Sequence, residues 1–153
     1  MALRGVQSHP WLLELAYVAT DRFLRLIRRW LTPGGAVEQV FVLGEQISKR
    51  LVFDCQMCGQ CVLHSTGMTC PMTCPKNLRN GPCGGVRLDG HCEVIPGMPC
   101  VWVQAWERSK QMPLHGRDIL QVLPPLDRRL QGSSAWINDL TGRSLERPAD
   151  WDR

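Results

Sequence analysis

Apolar positions between Pro10 and Leu31 recur with the spacing of a helix. Leu12, Leu15, Ala16, Ala19, Phe23, Leu26, Ile27 and Trp30 follow i, i+3, i+4, i+7. Pro10 suits a first helical turn, with Ser8 or His9 near the cap and residues 1–8 as a loose arm. A second set, Leu13, Tyr17, Leu24 and Leu31, widens the apolar stripe past half the girth. It confines the polar residues to a strip of Glu14, Asp21, Arg22, Arg25, Arg28 and Arg29. A helix this greasy expects neighbours on more than one side. Packing within its own fold and docking into another subunit are both open, and a membrane-surface helix is a third reading because the arginines share one edge.

Thr32-Pro33-Gly34-Gly35 ends that helix. A second helix is predicted from Ala36 to about Leu51, with Val37, Val40, Phe41, Gly44, Ile47 and Leu51 on one side. Glu38, Gln39, Glu45, Gln46, Lys49 and Arg50 lie on the other. A short Pro-Gly turn between two helices predicts an antiparallel hairpin that delivers the chain into Cys55. A shorter helix is expected from Val101 to about Gln111, stopped by Met112-Pro113 and carrying Trp102, Ala105, Trp106 and Ser109 on one side. Those tryptophans either cover a neighbouring site or form ordinary core. Residues 114–153 show no sustained period. They read as an extended tail that lies on the hairpin or on a partner. The organisation expected is therefore a helical hairpin (1–52), a cysteine-rich metal region with a closing helix (53–112) and an extended docking tail (113–153). The fold class is small α plus irregular metal-binding structure with little β.

The cysteines change the picture most. All eight lie between Cys55 and Cys100. Packing alone would scatter them along apolar faces, so their confinement points to sulfur chemistry. The chain's 14 glycines and 11 prolines fit irregular backbone in that window. With 153 residues there is no room for an α/β barrel of about 250. The formal charge of +4 would be nearly cancelled by two thiolate-bound clusters of roughly −2 each, which weakens any case for nucleic acid. No cleavable leader pattern and no apolar run of membrane-spanning length is visible, so a cytoplasmic location with reduced thiols is expected in preference to a disulfide framework.

Cys55, Cys58 and Cys61 stand three apart, a spacing that turns three sulfurs toward one centre. The next cysteines, Cys70, Cys74, Cys83, Cys92 and Cys100, follow singly. Cys70 and Cys74 precede prolines, and Cys83 sits in Asn80-Gly81-Pro82-Cys83-Gly84-Gly85. Eight thiols satisfy two four-cysteine sites. The triplet favours two [4Fe–4S] clusters, with one cluster plus one zinc, or zinc at both sites, as the alternatives. Cys55, Cys58 and Cys61 are expected to share a site closed by a distant cysteine. The membership of the other site stays open. His64 and His91 lie in the window, but with thiols enough they are expected to be hydrogen-bonding or surface residues. No phosphate loop, G-x-S-x-G or H-E-x-x-H occurs, so no catalytic residue is assigned. A dithiol at Cys55 and Cys58 is disfavoured by Cys61 three residues on.

The string from Cys55 to Gly85, C-x2-C-G-x-C-x-L-x2-T-G-x2-C-P-x2-C-P-K-x-L-x-N-G-P-C-G-G, resembles the methylenetetrahydrofolate reductase C-terminal domain family. Pro99-Cys100-Val101-Trp102-Val103, Leu123-Pro124-Pro125-Leu126 and Gly132-Ser133-Ser134-Ala135-Trp136-Ile137-Asn138 extend the likeness, which covers about residues 38–143. The resemblance implies an accessory iron–sulfur subunit of a methylenetetrahydrofolate reductase, relaying electrons to or from the flavin (FAD) of a separate barrel subunit. An electron-donor protein is a further partner it allows. The alternative within the same family is a zinc-stabilised structural or interaction subunit without electron transfer. The barrel itself is missing from this chain, so its flavin and folate residues have no counterparts here.

Overall fold

A computed structural model describes residues 4–31, 36–81 and 83–146. Four α-helices carry the fold: α1 (Pro10–Ile27), α2 (Ala36–Phe53), α3 (Val101–Ser109) and α4 (Ala135–Thr141). Short 3-10 turns fill much of the remainder, among them Leu63–Ser65, Pro71–Thr73, Gly116–Leu120 and Arg128–Leu130. Among the described residues β structure is limited to two isolated antiparallel bridges, Val86–Cys92 and His91–Pro99. The expectation of a mostly helical fold with little strand is met. The predicted hairpin turn falls on residues 32–35, outside the described ones.

Pro10 opens α1, where its missing N–H has no intrahelical partner to lose. Of the polar strip only Glu14 is buried; Asp21 is half-buried and Arg22, Arg25, Arg28 and Arg29 are exposed. Glu14 is 0% exposed and accepts hydrogen bonds from the Leu114 N–H (3.2 Å) and the His115 N–H (2.6 Å). A carboxylate that deep is tolerable only because it stops backbone donors that would otherwise be orphaned. Leu12, Leu15 and Phe23, by contrast, are exposed, as is Leu26 at 82%.

A charged pair is likewise buried on α2. Glu45 and Lys49 are buried against each other at 2.5 Å. Val40 (74% exposed), Ile47 and Leu51 point outward. Of the polar side only Glu45 and Lys49 are buried, where they satisfy each other and Glu45 accepts the Ser134 hydroxyl, while Gln39 and Arg50 are exposed.

Three apolar clusters hold the elements together. Leu24 of α1, Leu31 and Ile137 of α4 pack with Phe41 of α2, Trp136 and Leu140, so α1, α2 and α4 converge. A sulfur-rich cluster of Cys58, Leu63, Met68, Cys70, Met72 and Met112 sits against Leu13, Tyr17 and Phe53. Cys100, Trp102 and Ala105 pack with Val86 and Ile119. Trp102 is thus core, while Trp106 stays exposed.

The C-terminal stretch departs from the extended tail expected of it. Ser134 caps α4 by accepting the Ile137 N–H at 3.2 Å, and Gly142, at φ 81°, ends it in the left-handed conformation. Ile137, Ser134 and Asn138 are completely buried. Seven residues are too few for a helical period to stand out, and Trp136, Ile137 and Leu140 pack on Leu24, Leu31 and Phe41, distant in sequence.

Candidate metal centre

Chain leaving α2 enters the triplet through left-handed residues. Asp54, Met57 and Gly59 have φ of 52°, 49° and 76°. These turns wind the loop tightly enough for the Met57 N–H to donate to Cys55 Sγ at 3.3 Å. Gly59 is required twice over, by its positive φ and because a Cβ there would collide with the Leu130 carbonyl. After the 3-10 turn Leu63–Ser65, Thr66 locks the return of the chain by donating to the carbonyls of Val62 and Thr69 at 2.9 and 2.8 Å. Cys70 then arrives next to the triplet, and Pro71 starts the turn that leads away.

Cys55, Cys58, Cys61 and Cys70 line one cavity, together with Lys49, Met57, Gln60 and Arg79. Spacing alone grouped the first three; the fold supplies Cys70 as the fourth thiol of that wall. Among the described residues no three His, Cys, Asp or Glu side chains already stand at the mutual spacing of an ion's ligands. What the chain provides is a shared thiol-lined wall of the donor type and number that a four-cysteine site takes.

The surroundings favour the anion at Cys55. The Cys70 thiol hydrogen-bonds toward Cys55, and with the Met57 N–H and nearby Lys49 it brings the Cys55 thiol down to about 6, against the opposing effect of burial. Cys70, the donor of that pair, is correspondingly pushed up. Burial also raises the Cys58 thiol. Burial alone would lower Lys49, but Cys61 and Glu45 outweigh it and hold the ammonium charged. Arg79 is lowered by burial, and the sulfurs of Cys58 and Cys61 counter that effect. Its guanidinium donates to the Pro124 carbonyl (2.9 Å) and the Gln60 carbonyl (3.2 Å), with no carboxylate partner among the described residues. One buried cation thus lies paired with Glu45 beside the thiols, and a second faces Cys58 and Cys61 without a carboxylate.

The C-terminal stretch clamps this loop. Asn138 Nδ2 donates to the Gly59 carbonyl at 2.9 Å, the Gly132 N–H to the Met57 carbonyl at 2.8 Å, and Gln131 Nε2 to the Gln56 carbonyl at 2.7 Å. Gln60 bridges outward, its Oε1 accepting from the Asp127 N–H (2.8 Å) and its Nε2 donating to the Ser144 carbonyl (2.8 Å). Lys49, Gln60, Arg79 and Asn138 were not singled out from sequence as site residues. Nothing in their local spacing marks them, because their roles come from contacts across the fold.

The other four cysteines occupy the neighbouring loop. Cys92 and Cys100 are brought back by the bridges Val86–Cys92 and His91–Pro99 and by the bonds Cys92 N–H to Met98 O and Cys100 N–H to Gly90 O, both 2.9 Å. Lys76, paired with Glu93, is near enough to Cys83 and Cys92 to be raised by both after Glu93 itself. Cys74 closes a 3-10 turn and lies next to Pro99 and Val101 along a polar cleft. His91 is engaged in its own turn, its N–H on Asp89 Oδ1 at 3.0 Å. His64 stacks on Tyr17 with centroids 5.2 Å apart.

A protein-family model described as methylene-tetrahydrofolate reductase C terminal matches residues 35–129. That range is more than half of the chain and holds α2, α3 and all eight cysteines, leaving α1 and α4 outside it. No curated protein and no solved structure matches the chain.

Proposed function

The chain belongs to the methylene-tetrahydrofolate reductase C-terminal family, and from that membership we propose that it serves such a reductase as an accessory, cluster-bearing subunit without catalysis of its own. The observation that carries this reading is the wall of Cys55, Cys58, Cys61 and Cys70 flanked by buried Lys49 and Arg79. Four thiolates around a metal centre leave a net negative charge, and two cations placed before any metal arrives reduce the cost of burying it. A [4Fe–4S] cluster held there supplies reversible one-electron storage for a flavin on the partner.

The chain's own residues do the rest. Cys55, lowered by the Cys70 hydrogen bond, would ligate as a thiolate, with the Met57 N–H holding it in place. Arg79 stabilises negative charge at Cys58 and Cys61. Met72 and Val62, buried along the same wall, limit water at the sulfurs and so influence any potential. Cys74, Cys83, Cys92 and Cys100 would supply the second centre, with Lys76 close to Cys83 and Cys92. On this reading the chain operates alongside a flavoprotein that binds folate.

Zinc is the second reading, because an all-thiolate set suits it equally and no redox role follows. Anaerobic purification with iron, sulfide and zinc analysis separates the two. Brown protein whose visible absorbance bleaches with dithionite supports the electron relay. Colourless zinc protein replaces it with a structural subunit, and metal-free protein that is well folded ends both.

A further inference from the structure

One face of α3 carries Val101, Gln104 and Arg108 at i, i+3 and i+7, and all three line an open cleft of about 530 Å³. Segment 69–77, Gln7 and Phe53 at the end of α2 supply most of the remaining wall. The cleft backs onto the thiol cavity and shares only Cys70 and Met72 with it. Its volume is that of a small-molecule site. Carboxamides are its commonest polar groups, from Gln7, Gln56, Asn77 and Gln104.

Among the described residues of this lining Arg108 is the only cation and Asp54 the only carboxylate. Arg108 Nη1 donates to Thr69 Oγ1 at 2.9 Å, and Thr69 in turn donates to the Gly67 carbonyl at 3.2 Å, which anchors the guanidinium. Its Nε and Nη2 have no partner among the described residues. Burial lowers this arginine, and no carboxylate or sulfur of the chain works against that effect. Arg79 differs, because Cys58, Cys61 and Cys70 each oppose the effect of burial there. Arg108 is therefore not a counter-ion of the thiols, and Asp54 does not offset it. A partly desolvated guanidinium with two nitrogens to spare is a receptor for an anion from outside the chain.

The carboxamides define what else that anion carries. Gln56 Nε2 donates to the Asp54 carbonyl at 3.0 Å, and Gln104 Nε2 approaches the Pro99 carbonyl at 3.5 Å. Each therefore keeps its Oε1 to accept a hydrogen bond. Asn77, exposed and at φ 52°, has both ends of its amide available. Inorganic phosphate would engage Arg108 but bring few donors to these oxygens. A chain of carboxylates joined by amides brings the anion and the N–H donors together. We propose that the α3 cleft binds the γ-linked glutamyl tail of a tetrahydrofolate, with a tail carboxylate on Arg108 and tail amide N–H groups on Gln56 and Gln104. The inference rests on the functional reading above and adds that this chain holds one end of the folate on which the reductase acts.

The test is calorimetric titration of the full chain, purified without oxygen, with tetrahydrofolate triglutamate, tetrahydrofolate monoglutamate and the free γ-linked triglutamate. The triglutamate folate should bind at least about tenfold more tightly than the monoglutamate, because more of its carboxylates and amides reach the cleft. Arg108→Met should weaken triglutamate binding by about tenfold or more, Arg108→Lys by less, and Gln104→Leu by about threefold. Circular dichroism and metal content should match the wild type, since both side chains are only half-buried. Should Arg108→Met lose its fold or its metal, Gln104→Leu decides alone. Equal binding of the two folates, or triglutamate binding unchanged in the variants, overturns the cleft and leaves the functional reading standing. Saturable binding of inorganic phosphate without binding of the triglutamates assigns the cleft to a phosphate ligand and overturns the inference. An α-linked triglutamate that binds as tightly as the γ-linked one assigns it to an acidic peptide, with the same result. The functional reading fails on a different measurement, the iron, sulfide and zinc analysis, so the two failures are told apart.

Discussion

Ser134 donates its hydroxyl to Glu45 Oε2 at 2.6 Å and with the same oxygen accepts the Ile137 N–H at 3.2 Å. One completely buried hydroxyl therefore caps α4, fixes the α2 carboxylate and, through Glu45, sets the position of Lys49 beside the thiols. Replacing it with alanine removes a helix cap and leaves a buried carboxylate oxygen short of a donor. Ser134→Ala should lose about 2 kcal/mol or more in urea unfolding of the metal-loaded protein. Ser134→Thr, which keeps the oxygen, should recover part of that loss. An alanine variant as stable as the wild type would show that α4 does not depend on this cap.

Gly59 lies inside the cysteine triplet at φ 76°, and its Cα faces the Leu130 carbonyl without room for a methyl group. Alanine there meets two penalties at once, a left-handed backbone and a backbone clash. Gly59→Ala should cost about 2 kcal/mol or more and lower metal content at the first centre, because the strain falls between Cys58 and Gln60. Gly132→Ala is the informative control, since it shares a positive φ but has open space around it. Thermal melts with metal analysis on the two variants should rank Gly59→Ala as the more damaging, and the opposite ranking would contradict the clamp described for this loop.

How much of this was legible in the sequence depends on the range of the interaction involved. The triplet of Cys55, Cys58 and Cys61 and the three longer helices are local patterns, and the spacing revealed them. Which face of α2 turns inward was not legible. Periodicity separates Val40 and Ile47 from Glu45 and Lys49, but the Ser134 hydroxyl that meets buried Glu45 is distant in sequence. Helix α4 was missed because seven residues hold too few turns. Its cap at Ser134 and its stop at Gly142 were the available signals. Arg79 and Asn138 act through backbone carbonyls of remote residues, which leave no trace in spacing.

His64 provides a test by acidity. Its ring stacks on Tyr17, meets the His115 ring edge-on at 5.6 Å, and has a buried Nδ1 with no partner. Burial, then the neighbouring His115, lowers its affinity for a proton below the ordinary 6.5, although Asp118, Asp139 and Asp21 work in the other direction. The unfolded chain therefore binds the proton more readily than the folded one. Stability from this group is complete above pH 6.5 and is lost as the pH falls through the lower folded-state value. Melting temperatures between pH 7.5 and pH 5 should drop more steeply for the wild type than for His64→Phe, which keeps the stacking on Tyr17 without the titration. Parallel curves would mean that the ring is already solvated in the native state.

The grouping of the thiols is open to direct test by single serine substitutions. If Cys70 is the fourth ligand of the triplet, Cys58→Ser and Cys70→Ser must behave alike. Each removes one ligand from the same wall, and each should leave about half the metal of the wild type, with the second centre intact. Cys92→Ser should give the complementary loss, and a double variant of Cys58 and Cys70 should lose no more metal than either single one, because the two changes destroy one site. Pairing Cys58→Ser with Cys92→Ser should instead empty the protein and, with both loops unsupported, abolish cooperative melting. Metal counts in which Cys70→Ser tracks Cys92→Ser, and Cys58→Ser stands apart, would reassign Cys70 to the second centre.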